Sequence, residues 1–254
     1  MRIPRCFLDQ PLQTGDEIAL DERAHRHVVQ VLRLRVGAPL VLFNGEGGEY
    51  AATLTLAERR ASRVRIDEHR SRDTRPALGV TLLQGIAKGD RMDYSLQKAT
   101  ELGVSRIQPL VAKRSVTHED PKRMNKRQEH WRGVIVSACE QSGRTDIPEL
   151  LPPLPLSHWL DTQHPGRTDE DTASWSLVLD PEATSSLGDL AASKARPQAV
   201  TLLIGPEGGL DEREISQARH CGLTPVRLGP RVLRTETAGV AALAIIQSLW
   251  GDMG

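Results

Sequence analysis

Two short stretches of the chain carry residue types suited to gripping a flat polar ligand and managing charge on it. The first is Ile204-Gly205-Pro206-Glu207-Gly208-Gly209-Leu210. The second is Leu228-Gly229-Pro230-Arg231-Val232-Leu233-Arg234-Thr235-Glu236-Thr237-Ala238. Glycines let backbone N–H and C=O groups approach a ligand closely. Arginines stabilise developing negative charge, and a carboxylate can accept a proton. Each residue also has an ordinary structural use. The glycines suit a tight turn, Thr235 or Thr237 suits a helix cap, and Glu236 suits the positive end of a helix. Those uses do not account for two arginines beside the cap in a second loop of the same kind. Neither loop carries GxGxxG with an acidic residue about 20 positions on, nor GxxxxGK[ST], which disfavours a dinucleotide or NTP site.

The apolar rhythm says what must position these loops. From Leu78 onward, strand-like and helix-like segments alternate. Gly79 to Ile86, Ile107 to Val111, Trp175 to Leu179, Val200 to Ile204 and Pro225 to Leu228 read as strands. Tyr94 to Leu102 and Met124 to Ser142 read as helices closed by Gly103 and Gly143. Ser185 to Lys194, Asp211 to Cys221 and Thr237 to Trp250 read as further helices, and Asp211 and Glu214 are spaced as a capping box. Such alternation makes an α/β domain with a largely parallel sheet. Both loops then leave the carboxyl ends of strands, where open α/β sheets bind ligands.

The first 70 or so residues have a different grain. Asp21 to Leu34 is helical in pattern. Leu40 to Phe43, Tyr50 to Leu56 and Ser62 to Ile66 are short strands, and Asn44-Gly45 is a hairpin signal. Short strands with one helix suggest a small barrel. Glu68 to Pro76 is charged, lacks apolar periodicity and ends in proline, so it reads as a linker. The division is 1–70, a linker at 71–77, and 78–254. The acidic span Leu160 to Ser174 reads as an exposed loop.

Composition narrows the class. The chain has 254 residues, 39% hydrophobic, with no apolar run approaching the roughly 18 residues of a spanning helix. MRIPRCFLDQ at the start has no apolar h-region, so a secretory signal is not expected. Three separated cysteines, Cys6, Cys139 and Cys221, suggest neither a disulfide framework nor a zinc site. A reducing cytoplasm fits that usage. Net charge is zero, yet charge is segregated. Lys113 to Arg132 holds seven Lys/Arg against three Asp/Glu, whereas Asp146 to Asp189 holds nine Asp/Glu and one Arg. A local basic face therefore survives the neutral average.

LLIGPEGGLDEREI (202–215) and LGPRVLRTETA (228–238) resemble the signature loops of the SPOUT methyltransferases, and most closely the ribosomal RNA small subunit methyltransferase E family. MRIPRCF (1–7), HVVQVLRLRVG (27–37) and LFNGEGGEY (42–50) resemble that family's PUA-like RNA-binding domain. KGDRMDYSLQKATELGV (88–104) and ACEQSGR (138–144) resemble its central segments. The likeness spans nearly the whole chain in order and is weakest over 150–199.

The resemblance implies an α/β domain with a trefoil knot, preceded by a PUA-like β-barrel. It implies methylation of N3 of a specific uridine in 16S rRNA, with S-adenosyl-L-methionine as donor and no metal. It also implies a homodimer acting on 16S rRNA or the small ribosomal subunit, with no membrane. The apolar face of Val240, Leu243, Ile246, Leu249 and Trp250 suits either a dimer contact or the domain core. Carried over by position, the cofactor site comprises Leu179, Ile204, Gly205, Pro206, Glu207, Gly208, Leu228, Gly229, Leu233 and Arg234. Arg234, Glu236 and Arg231 are the candidate catalytic groups. RNA would be held by Arg2, Arg5, Arg26, Arg33, Arg35, Lys88, Arg91, Lys122, Arg123, Lys126 and Arg144. Rival readings are a related enzyme acting on another RNA or on ribose, a non-catalytic ribosome-assembly factor, and a nucleotide-dependent oxidoreductase, which the motifs disfavour.

Overall fold

A computed structural model describes residues 3–115, 120–163, 174–193 and 195–254. Arg2, most of the acidic span (164–173) and Lys194 lie outside the described residues. The chain divides into two compact units. One comprises residues up to Arg75 together with Val136–Ile147, and the other comprises Pro76–Ile135 with Pro148–Gly254. The division is thus discontinuous in sequence, because 136–147 counts with the N-terminal unit.

The first unit contains β1 (Arg5–Phe7), β2 (Glu17–Ala19), α1 (Glu22–His25), β3 (Pro39–Phe43), β4 (Glu49–Ala57) and β5 (Ser62–Arg70). They form one sheet in the order β1-β3-β4-β5-β2. β1 and β3 are parallel and the other pairs are antiparallel. Asn44-Gly45 lies in the β3–β4 connection, as the turn signal requires, and Gly45 has φ +86°. Along β5, Ser62, Val64 and Ile66 are buried while the residues between them are exposed, so one face makes core. Leu8, Leu40, Leu42, Leu54, Val64 and Ile66 fill that core together with Ala24 and Val28.

Two sequence expectations change here. β5 continues to Arg70, so the start of the expected linker at Glu68 is strand paired with β4. Its charged side chains face solvent, which hides the strand from a hydrophobicity reading. The helix expected over 21–34 is only four residues of α-helix. It passes into a π-helical stretch, Arg26–Val31, in which Leu32 N–H donates to the His27 carbonyl at 2.9 Å. The wider turn ends at Arg33, which has φ +54°.

The second unit holds β6 (Gly79–Gly85), α2 (Asp90–Glu101), β7 (Arg106–Val111) and α3 (Pro121–Ser142), whose last part counts with the first unit. β8 (Glu149–Leu150), β9 (Leu154–Pro155), α4 (Leu156–Gln163), β10 (Ser174–Leu179) and α5 (Leu187–Ser193) follow. β11 (Ala199–Ile204), α6 (Glu212–His220), β12 (Thr224–Val226) and α7 (Thr235–Trp250) complete it. Leu160 therefore belongs to a helix rather than to a loop. The sheet order is β12-β10-β11-β6-β7-β8, with β9 also on β7, and every pair is parallel.

α4 and α6 close one core with Leu156, Trp159, Leu160 and Ala218 against Leu83, Val178 and Leu203. α7 buries Ala242, Leu243, Ile246 and Trp250, and the Trp250 ring meets Trp175 edge-on at 4.8 Å. On the same helix Leu249 is exposed. β10, β11 and β12 are neighbours, so the loops that follow Leu179, Ile204 and Val226 emerge side by side at one end of the sheet.

Candidate active site

The loop after β11 is shaped by close backbone approach. A Cβ placed on Gly205 would lie 2.9 Å from Leu210 N and 3.0 Å from the Gly209 carbonyl carbon. One on Gly85, at the end of β6, would lie 2.5 Å from Pro206 N. No side chain fits at either position, so the chain passes as bare backbone. Gly209 (φ +69°) turns the loop toward α6. There Asp211 and Glu214 form the expected capping box, each accepting from the other's backbone N–H at 2.8 and 2.9 Å.

Glu207 anchors the middle of the same loop. Its Oε1 accepts from Lys88 N–H at 2.8 Å and from the Arg91 guanidinium at 3.1 Å. Burial opposes its charge, but the Lys88 N–H and Arg91 outweigh burial and hold the carboxyl below its ordinary value. On the other side, Arg114 donates to the Gly208 carbonyl at 2.9 Å. Lys113 pairs with Asp211 at 2.8 Å, which, with the Glu214 N–H, lowers the Asp211 carboxyl.

The loop after β12 leads straight into α7. Gly229 has φ +77°. Arg234 occupies the N-cap position with extended backbone but makes no side-chain cap bond. Neither Thr235 nor Thr237 caps the helix. Thr235 is buried, and its hydroxyl instead donates to the Gly205 carbonyl at 2.6 Å. Arg231 and Arg234 are exposed, and no partner for either guanidinium exists among the described residues. Glu236 carries a buried Oε2 with no hydrogen-bond partner among the described residues.

These loops surround one cleft of about 520 Å³, within the usual range for a small-molecule site. It is lined by each residue expected at the cofactor site, from Leu179 through the 204–208 and 228–234 positions, and by Arg231 and Glu236. Leu210, Ile215 and Val226 add apolar wall. Sequence reasoning missed Arg114 and the Asp180-Pro181 turn. Arg114 sits in a different strand-end loop, after β7, with no motif around it. Asp180 does follow a strand end, which was the available signal. Its carboxylate is buried, however, and accepts from Arg219 at 2.9 Å and from Glu182 N–H at 3.0 Å, so it shapes the turn.

The expected RNA-contacting residues separate into groups. Arg26, Arg33, Arg35, Lys88, Lys122, Arg123 and Lys126 are exposed. Arg91 is exposed but engaged with Glu207 at the cleft. Arg5 and Arg144 are corrections. Both are buried, Arg5 paired with Glu49 and donating to the Arg144 carbonyl at 3.1 Å, and Arg144 paired with Asp146. A guanidinium enclosed by its own carboxylate has no face to offer a phosphate. Among the described residues no cluster of His, Cys, Asp or Glu is arranged to hold a metal, and no helix is long and apolar enough to cross a membrane.

Residues 74–247 match the family model of an RNA methyltransferase domain, and residues 20–67 match an RNA methyltransferase PUA domain. The ribosomal RNA small subunit methyltransferase E of Buchnera aphidicola is 31% identical over 99% of this chain and 98% of its own length. The chain belongs to the ribosomal RNA small subunit methyltransferase E family. A structure of that family's enzyme from Neisseria gonorrhoeae, bound to S-adenosyl methionine, is 37% identical with a TM-score of 0.87 and full coverage of both chains. A methyltransferase structure from Legionella pneumophila with bound cofactor is 36% identical with a TM-score of 0.91, covering 99% of this chain and 100% of that one. The two-unit architecture, a PUA-like sheet and an α/β methyltransferase domain, is therefore a family property.

Proposed function

We propose that this protein methylates N3 of a uridine in 16S rRNA, using S-adenosylmethionine, and that the cleft at the ends of β10, β11 and β12 is where it does so. The convergence of the 204–210 and 228–236 loops on one cleft carries this reading. The cleft fits the cofactor in kind. Its glycines bring main chain to the cleft wall beside an adenine edge, and Leu179, Ile204, Leu228 and Leu233 give apolar cover to the ring faces. When bound, the cofactor supplies an electrophilic methyl carried on a sulfonium.

The chain's own residues supply orientation and charge. Uracil N3 carries a proton and is a poor nucleophile until that proton leaves. Negative charge then spreads over the two flanking carbonyl oxygens. Arg234 and Arg231, without a partner among the described residues, are the donors that would stabilise those oxygens. Glu236, with an oxygen lacking a partner among the described residues, is the group available to take the proton. N3 is on the Watson–Crick edge, so the base must be unpaired or turned out of its stack.

The exposed basic residues of both units, Arg26, Arg33 and Arg35 in one and Lys122, Arg123 and Lys126 in the other, would hold RNA through phosphates. A homodimer, a trefoil-knotted chain end and a cytoplasmic site of action belong to the same reading by family resemblance. The test is nucleoside mapping by mass spectrometry of 16S rRNA from a strain lacking this protein. Loss of 3-methyluridine, restored by the wild-type gene, is expected. An unchanged 16S profile, or methylation lost from ribose or from another RNA, refutes the reading.

A further inference from the structure

Gln84 is fully buried at the carboxyl end of β6, in the middle of the sheet, and no motif marks it. Its Nε2 donates to the Gly85 carbonyl at 3.0 Å and to the Thr235 hydroxyl at 3.1 Å. A carbonyl can only accept, so the amide nitrogen must face Gly85, which fixes the amide's orientation. Both amide protons are then used, and the Thr235 hydroxyl proton is free to go to the Gly205 carbonyl at 2.6 Å. The donors run in one direction, from the sheet through the first residue of α7 to the first residue of the 205–210 loop.

Stability alone does not explain this arrangement. The Gln84 Oε1 is buried with no partner among the described residues, an unfavourable state that an apolar side chain of similar size would avoid. Packing around it is tight. A Cβ on Gly239 would lie 3.2 Å from Ile204 Cδ1 and 3.7 Å from Gln84 Oε1. Gly85 admits no side chain against Pro206. The two cleft loops are otherwise separate in sequence, and the Thr235 hydroxyl is a direct hydrogen bond from one to the other.

We propose that Gln84 and Thr235 are positioning residues, a buried amide–hydroxyl relay that sets the spacing between the Gly205 loop and the start of α7, and with it the alignment of Arg234 and Glu236 to the bound donor. This rests on the functional reading above. Neither residue is assigned contact with substrate.

The experiment uses the full-length protein and four variants: Thr235→Val, Thr235→Ser, Gln84→Leu and the double Thr235→Val/Gln84→Leu. Three quantities are read: melting temperature, S-adenosylmethionine affinity by calorimetry, and amide hydrogen exchange of the ligand-free protein. Thr235→Val should weaken cofactor binding by about tenfold and speed exchange in 205–210 and 234–238 together. Thr235→Ser should restore both to within about threefold. The double variant should be no worse than Thr235→Val, because both changes cut one path.

The relay is overturned if Thr235→Val binds like wild type, if Ser fails to rescue a folded protein, or if the two losses multiply. It is also overturned if Thr235→Val lowers the melting temperature while the folded protein keeps its affinity and its loop protection. Wild-type protein that does not bind S-adenosylmethionine would sink the functional reading instead. Paired loop exchange in the ligand-free variants would still support the relay, and its absence would overturn the relay too.

Discussion

In the first unit Arg5 and Arg144 are turned inward. Each is closed off by a carboxylate, Arg5 by Glu49 and Arg144 by Asp146, and Arg5 also lies over the Phe43 ring at 5.2 Å. At the cleft of the second unit Arg231 and Arg234 are exposed, with no partner among the described residues. The same side chain thus serves two ends. Where its charge is neutralised within the fold it holds loops and strands together. Where the fold withholds a partner, the charge remains available for something that arrives from outside. The lesson extends to carboxylates: Glu49 and Asp180 are committed to arginines, whereas Glu236 keeps a buried oxygen with no partner among the described residues.

The contrast can be broken at its inward-facing end first. Arg5→Met leaves Glu49 buried beside the exposed Arg72, its other partner, and is expected to destabilise the protein by about 4 kcal/mol in chemical denaturation. Adding Glu49→Leu should recover much of that loss, because the buried carboxylate left with only the exposed Arg72 is then gone. A loss below about 1 kcal/mol for Arg5→Met would show that the pair is not the structural tie described here.

At the outward-facing end the expected pattern is reversed. Arg234→Ala should leave the melting temperature unchanged and lower methyl transfer by about 100-fold or more, corresponding to about 3 kcal/mol of lost transition-state stabilisation. Turnover at the wild-type rate would remove Arg234 from the chemistry.

Removing the cap at the start of α6 should have a smaller effect. Asp211→Ala deletes a helix cap and should cost about 1 kcal/mol of stability, measurable by denaturation. Glu207 adds a pH test. Its carboxyl is held below its ordinary value, so its anchoring contribution is fully present above the unfolded carboxyl range. That contribution is lost as pH falls through the lowered folded value. The stability gap between wild type and Glu207→Gln should therefore be constant near neutrality and shrink in acid. A gap that widens in acid would contradict the assignment of Lys88 N–H and Arg91 as the groups that hold it.

The smallest expected effects concern RNA. Arg26→Ala and Lys126→Ala should each reduce the salt slope of RNA binding by about 0.7 to 0.9 per lost phosphate contact. Arg144→Met should leave that slope unchanged in protein that remains folded. A reduced slope for Arg144→Met would place that residue among the phosphate contacts and erase the distinction between the two sets of arginines.

Much of this molecule can be read from local pattern. Apolar runs and glycine stops marked β6, β7, β10, β11 and the ends of α2 and α3. The spacing of Asp211 and Glu214 marked the cap of α6. The glycines and arginines of 204–210 and 228–238 marked the loops of the cleft. These features depend on residues a few positions apart, which is why a linear reading reaches them. Local pattern was weaker where charge covers backbone pairing, as in the last residues of β5, and where a helix widens into π geometry at 26–31.

Tertiary structure decided which charges are used up at home. Arg5 meets Glu49 across 44 positions, and Glu207 meets Arg91 across 116. Thr235 reads as a cap in sequence, yet its partners are Gly205, 30 positions away, and Gln84, 151 positions away. Sequence supplies the donors and acceptors. Which of them find one another depends on strand order, because a parallel sheet assembles neighbours from distant parts of the chain, so paired groups such as Glu207 and Arg91 and exposed ones such as Arg231 and Arg234 come to line the same cleft.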